Sequence, residues 1–266
     1  MHIIVCVKQV PDPEIPPARF KIDSAARMVI PPVGVSPVMS VFDERAVEAA
    51  CRLKDKYHAR ITVLTMGSGK VSDVVRQALS MGGDEGVVLQ DVAFDNADSY
   101  GTAYLLSKAI QKIGQYDLIL CGRQAADWDQ GQVGSIIAEI LSIPVVTLAR
   151  DIEVVDGKLR VARVLKDGYE VVEAPMPVVV TVSSELGLPR LPRGMGIITA
   201  ARKQIPVWTG QDIGANLAQA EPDGAYNEVA SLVVPVREAR CDIISGETTA
   251  EAAANLALKL RELKLI

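Results

Sequence analysis

Short β-branched runs alternate with amphipathic stretches through the first half of the chain, and the two periods predict strands and helices in turn. His2 to Val7 reads as a buried strand, Arg60 to Thr65 as a second, Gly86 to Leu89 as a third and Asp117 to Cys121 as a fourth. Between them, Phe42 to Tyr57 repeats Ala46, Val47, Ala50 and Leu53 at helical spacing, with Asp43 and Glu44 in the first turn and Lys54 and Lys56 near the end. A helix carried by Val71, Val74, Val75, Ala78 and Leu79 follows the second strand. Ser99 to Gly114 follows the third, and Ser135 to Leu141 follows the fourth. Strands separated by helices of this length specify βαβ units, a parallel sheet and right-handed crossovers. The expected fold is therefore α/β, a doubly wound parallel sheet, up to about residue 147.

The rhythm then changes. Ile152 to Val155, Lys158 to Leu165 and Tyr169 to Val172 are joined at two Asp-Gly turns and predict an inserted β-meander. Pro177 to Val182 is apolar on both faces and should return to the main sheet, at a place the pattern does not fix. Prolines at 11, 13, 16 and 17 force a surface excursion after the first strand, and 18–39 offers one short hairpin. Segment 183–205 is rich in Gly and Pro, with regular structure expected only from about Ile197. From Pro206 the chain is polar and Pro-punctuated, with a strand-like run at Ser231 to Val236 and a closing helix through Ala253, Leu256 and Leu260. This divides the chain into a domain over 1–205, including a candidate docking loop at 183–205, and an extended C-terminal arm over 206–266. The arm carries too little apolar surface to fold alone and should pack on another surface.

Composition narrows the chemistry. A net charge of -5 with no basic run interleaved with aromatics argues against nucleic acid, and no apolar run reaches the roughly 20 residues of a membrane span. A cytoplasmic protein is expected. Cys6, Cys51, Cys121 and Cys241 are far apart in apolar settings, the pattern of buried thiols, with no CxxC; with only His2 and His58 available, a His-based triad or metal centre is not expected.

The stretch with most chemical capacity is Gly122 to Gly134, which follows the fourth strand and opens a helix. Arg123, Asp127, Trp128, Asp129, Gln130 and Gln132 crowd into it, more polar capacity than a connection needs. Gly131 and Gly134 would admit a ligand to the backbone. Unpaired N–H groups and the macrodipole at a helix N-terminus welcome phosphate oxygens, so nucleotide binding is the better reading than a bare connecting loop. The two aspartates are then expected on ribose hydroxyls or as helix caps. Gly67-Ser-Gly-Lys70 lacks the Ser or Thr of a phosphate loop because Val71 follows the lysine, and neither GxGxxG nor GxSxG is present. A chain without nucleophile, metal cluster or useful histidine is not expected to make bonds of its own; an adenylating-type nucleotide-binding enzyme is the alternative of a different class.

Several separated blocks in order resemble the β (small) subunit of electron transfer flavoproteins. They are Ile4 to Val10, Val41 to Ala50, Val63 to Gly67, Ala78 to Asp84, Gly122 to Ala125, Ala162-Arg163, Pro177 to Thr181 and Pro189-Arg190. The resemblance implies an adenine nucleotide α-hydrolase-like fold and a heterodimer whose α subunit carries the electron-transferring FAD. It implies AMP in this chain, or a second FAD oxidising NADH in electron-bifurcating members, with an acyl-CoA dehydrogenase-type flavoenzyme as redox partner. Its nucleotide contacts fall on Cys6, Val7, Lys8, Ser40, Val41, Phe42, Asp43, Met66 and Gly67. They continue through the turn, Gly122, Arg123, Gln124, Ala125, Ala126, Asp127, Trp128, Asp129, Gln130, Gly131, Gln132, Val133 and Gly134. Its docking loop falls on Pro189 to Ile198; the candidate docking residues are Leu188, Arg190, Leu191, Arg193 and Met195, and the arm is expected to grip the α subunit. The chain departs from the family at Ser40-Val41, where Asn-Pro is common, and at Asp127 to Val133, where bifurcating members usually read Asp-Gly-Asp-Thr-Ala-Gln-Val.

Overall fold

The computed structural model describes residues 1–16, 19–30, 32–220, 224–234 and 241–266. They divide into two compact units, Met1–Ser231 and Leu232–Ile266.

The first unit begins with β1 (His2–Val7), β2 (Gln9–Val10), the hairpin of β3 (Lys21–Asp23) and β4 (Met28–Ile30), and β5 (Val38–Met39), followed by α1 (Val41–Tyr57). Next come β6 (Arg60–Met66), α2 (Ser72–Met81), β7 (Glu85–Leu89), α3 (Ser99–Ile113), β8 (Leu118–Gly122) and α4 (Val133–Leu141). The meander is β9 (Val145–Val155), β10 (Lys158–Leu165) and β11 (Gly168–Ala174); then come β12 (Val178–Val182), α5 (Gly194–Arg202) and β13 (Val207–Trp208). Among the described residues one nine-stranded sheet has the order β11-β10-β9-β12-β8-β1-β6-β7-β13.

Alternation along the central strands explains the layers. Ile3, Val5 and Val7 of β1 face Val47 and Ala50 of α1 and Val75 of α2, whereas Ile4 and Cys6 face Leu105 and Ile110 of α3 and Ile137 of α4. β1 pairs in parallel with β6 on one side, Ile3 opposite Ile61, and with β8 on the other, Ile3 opposite Leu118. The chain winds outward from β1 through β6 and β7, then crosses back to β8. The boundary between β1 and β8 is thus a topological switch point, where open α/β sheets bind ligands at their carboxyl edge.

The meander is not a separate layer. The first half of β9 pairs in parallel with β12, Val145 opposite Val179, and its second half pairs antiparallel with β10, so the meander extends the main sheet. The pivot is a bulge where Leu148 adopts φ 60° and its N–H donates to Thr181 Oγ1 at 3.1 Å. β12 enters between β8 and β9, the position left open by the hydrophobic pattern.

Several expectations change. The helix after the Gly/Pro-rich stretch starts at Gly194, earlier than Ile197, because glycine lets it lie close on α2: a Cβ at Gly196 would stand 2.4 Å from the Ser80 carbonyl oxygen. The boundary at 205/206 falls inside the first unit, since Val207–Trp208 adds an edge strand to β7 and both Ile213 and Ala220 are buried. Cys241 is exposed, unlike Cys6, Cys51 and Cys121, and none of the described residues of its unit is buried.

In the second unit, α6 (Thr249–Glu262) is opened by Thr248, whose hydroxyl accepts from the Glu251 N–H, and it buries none of its side chains. Ser231 to Val234 form no strand, and Pro235 and Val236 of that expected run lie outside the described residues. No helix among the described residues is long and apolar enough to cross a membrane.

Candidate functional site

Asp43 holds the switch point together. It sits in the first turn of α1, buried, with Oδ2 accepting from the Lys8 N–H at 2.8 Å and Oδ1 from the Gly122 N–H at 3.0 Å. One carboxylate thus closes the ends of two strands that leave the sheet in different directions. Burial pushes its pKa up to about 7, against the opposing pull of those two N–H groups and of the Lys8 ammonium. Gly122 must be glycine for this contact: a Cβ there would lie 2.4 Å from Asp43 Oδ1 and 2.8 Å from the Phe42 carbonyl carbon.

Around this staple the turn after β8 folds back over the end of β1. Lys8 Nζ meets Asp127 Oδ2 at 2.7 Å, the Ala126 N–H donates to Ser40 Oγ at 3.3 Å, and the Arg123 N–H donates to the Val182 carbonyl at 2.9 Å. Asp129, at φ 53°, accepts from Gln124 Nε2 at 2.7 Å. The Arg123 guanidinium lies 4.8 Å from the Phe42 ring, and its Nε is buried without a hydrogen-bond partner. Because the Lys8–Asp127 pair is partly exposed, Lys8→Ala is expected to cost less than about 1 kcal/mol, read as a small shift in urea midpoint.

The sequence-derived residues therefore converge on the carboxyl edge, but in different roles. Lys8, Arg123, Gln124, Trp128, Gln130 and Gln132 retain solvent-facing surface, Trp128 being 45% exposed. Cys6, Val7, Ser40 and Asp43 are buried, and the Cys121 thiol is held well above its ordinary range by its hydrogen bond with Cys6 and by burial. Val41, Phe42, Met66 and Gly67 line the neighbouring strand and helix ends half-buried. Neither aspartate caps α4: Gln132 occupies that position with no side-chain hydrogen bond, leaving the first-turn N–H groups for another acceptor. Gly134 does not open the backbone to a ligand. It is buried, and a Cβ on it would stand 2.8 Å from Thr181 Cγ2, so its small size serves the packing of α4 on the sheet.

Sequence reasoning missed the far wall. A recess of about 470 Å³ is lined by Tyr100, Gly131, Gln132, Ser135, Ile136, Tyr226 and Asn227. Asp98 caps α3 through the Gly101 N–H at 2.8 Å and also accepts from the Tyr226 and Asn227 N–H groups at 2.9 and 3.1 Å, bringing Tyr226 edge-on to Tyr100. The Ser99 hydroxyl donates to Gln130 Oε1, tying the turn to the start of α3. Only the Asp-Ser pair before an amphipathic run hinted at this cap; nothing local pointed to residues 226–227.

In the loop expected to dock a partner, Leu188, Leu191 and Met195 are 82, 85 and 73% exposed, and Arg193 is exposed beside them. Arg190, expected on the basic rim, instead turns inward onto Glu48 and Asp55 at 2.8 and 2.9 Å.

A family model for the electron transfer flavoprotein domain matches residues 28–213. The chain is 39% identical over its whole length to the complete electron transfer flavoprotein subunit beta of Thermoanaerobacterium thermosaccharolyticum. It is 38% identical, again covering all of both chains, to the caffeyl-CoA reductase-Etf complex subunit CarD of Acetobacterium woodii. With the subunit beta of Megasphaera elsdenii it shares 40% identity over 88% of each chain. A cradle at the switch point of a doubly wound sheet and full-length likeness to these proteins lead to one conclusion: the chain belongs to the electron transfer flavoprotein β-subunit family, whose members are electron carriers.

Proposed function

We propose that this chain works in the cytoplasm as the β subunit of a heterodimer, passing electrons from an acyl-CoA dehydrogenase-type flavoenzyme to a redox acceptor, and that its carboxyl-edge cradle binds AMP. The observation that carries the nucleotide assignment is the state of the two aspartates. Free carboxylates would repel a phosphate, but Lys8 balances the charge of Asp127 and the Gln124 amide holds Asp129 in place, while the start of α4 has no side-chain cap. The first-turn N–H groups of α4 would take the phosphate, Arg123 would add positive charge, and the segments at Ser40–Asp43 and Met66–Gly67 would border the rest. The FAD of the α subunit would supply the electron-accepting chemistry. This chain's residues hold the nucleotide and present the Leu188, Leu191 and Met195 surface to the donor, while α6, with no side chain buried, grips the α subunit.

A second reading places FAD in the cradle in place of AMP, with NADH as donor. It is supported by the recess that continues past Gly131 and Gln132 to Tyr100 and Tyr226, and by the likeness to a subunit named for a reductase-Etf complex. Anaerobic titration of the purified heterodimer separates the readings. A catalytic amount of acyl-CoA dehydrogenase with its substrate should reduce the flavin while NADH alone does not; rapid reduction by NADH alone overturns the carrier reading in favour of the second.

A further inference from the structure

The exposed ridge stands on a buried anchor that belongs to another element. Glu48, near the middle of α1, is a charged residue only 5% exposed. Its Oε2 accepts from both the backbone N–H of Arg190, at 3.0 Å, and Arg190 Nε, at 2.8 Å; its Oε1 accepts from Arg52 Nε at 2.8 Å. The same two arginines complete the clamp, Arg52 Nη1 donating to the Leu186 carbonyl at 3.0 Å and Arg190 Nη2 to Asp55 Oδ2 at 2.9 Å. Burial alone would raise the Glu48 carboxyl, but the hydrogen bonds from Arg190 and Arg52 outweigh it and hold the group below its ordinary range.

The other end of the loop is fixed separately. Gly196 lies against the Ser80 carbonyl, and Arg76 Nη1 donates to the Ala200 carbonyl at 2.8 Å, seating α5 on α2. Leu188 and Leu191 therefore flank one pinned residue, and Met195 lies in the first turn of a seated helix. Three apolar side chains standing 73 to 85% exposed would fold back on the surface if the segment were loose. A loop that must present them pays less ordering entropy on docking when it is held in shape beforehand.

We propose that Glu48 is a positioning residue for partner docking, acting through Arg190 to hold the Leu188–Leu191 segment in its binding conformation. This rests on the reading of that segment as the donor's docking surface. Glu48 is too buried to touch a partner, so an effect of Glu48→Gln on docking has to pass through the loop.

The test uses the full heterodimer and two readouts. Hydrogen exchange of Glu48→Gln should accelerate at least ten-fold at the Leu186, Gly187 and Arg190 amides while the central strands stay as protected as in the wild type. With reduced acyl-CoA dehydrogenase as variable substrate, KM should rise about ten-fold with kcat unchanged. Arg190→Ala, which leaves the α1 core intact, should reproduce both effects and covers a folding failure of the first variant. Unchanged exchange at those amides in both variants overturns the inference. So does faster exchange with an unaltered KM, provided that Leu191→Ala raises KM. If Leu191→Ala also leaves KM unaltered, the docking reading itself is overturned and the inference falls with it.

Discussion

Gly122→Ala is expected to lower the stability of the heterodimer by about 3–5 kcal/mol and to release its nucleotide. The added Cβ would stand 2.4 Å from Asp43 Oδ1 and 2.8 Å from backbone of α1, so neither a rotamer change nor a slight breath of the structure relieves it. The start of α1 has to lift off β8, at an overpacking cost of about 1–3 kcal/mol. The lift also breaks the bond from the Gly122 N–H to Asp43 Oδ1, worth about 1.5–3 kcal/mol when intact. Gly131→Ala is the internal control. That position has φ 64° and its Cβ would meet the Arg123 carbonyl oxygen at 3.1 Å and Gln124 Cβ at 3.8 Å, so a loss of roughly 1–2 kcal/mol is expected. Urea unfolding of the two variants beside the wild type measures the difference, and ultrafiltration followed by absorbance of the filtrate measures the nucleotide.

The second large effect is a pH dependence that Asp43→Asn removes. With its pKa raised from 3.8 to about 7 in the folded chain, Asp43 binds a proton more tightly folded than unfolded. Its contribution is then fully present below about pH 4 and is lost as pH rises through about 7. Three pH units at about 1.4 kcal/mol per unit set an upper scale of roughly 4 kcal/mol. Asparagine leaves one N–H of the staple facing an amide donor, a cost that does not vary with pH. The stability advantage of the wild type over Asp43→Asn should therefore shrink steadily between pH 4.5 and 7 and level off above 8. A constant difference across that window would mean that Asp43 keeps an ordinary carboxylate pKa despite its burial.

Local pattern was enough for the central layers because each strand and helix there writes its own period. Val178 to Val182 is apolar on both faces because helices cover both, and α1 carries its acidic first turn and basic last turn in the sequence itself. What the pattern lacked was information held between distant segments. Nothing in Val145 to Ala149 distinguishes a strand parallel to β12 from a connection, because its burial comes from residues over 30 positions away. The site shows the same division. A polar, Gly-punctuated turn before a helix announced the cradle, and its residues do gather at the switch point. Their individual roles were not legible. Gly134 looked like an opening and is a packing contact with Thr181, and Arg190 looked like a docking charge and is an internal anchor on Glu48. Each role depends on a side chain from a different element, and a single sequence does not say which elements will face each other.

The central claim is that the carboxyl-edge cradle of this chain holds an adenine nucleotide that is not the redox flavin. Mass spectrometry of the nucleotides released by denaturing the purified heterodimer, quantified per mole of protein, tests it most directly. The account predicts one FAD and one AMP per wild-type heterodimer, with AMP alone lost from the Gly122→Ala variant. Two FAD and no AMP per wild-type heterodimer, or AMP retained at full occupancy after Gly122→Ala, would contradict it.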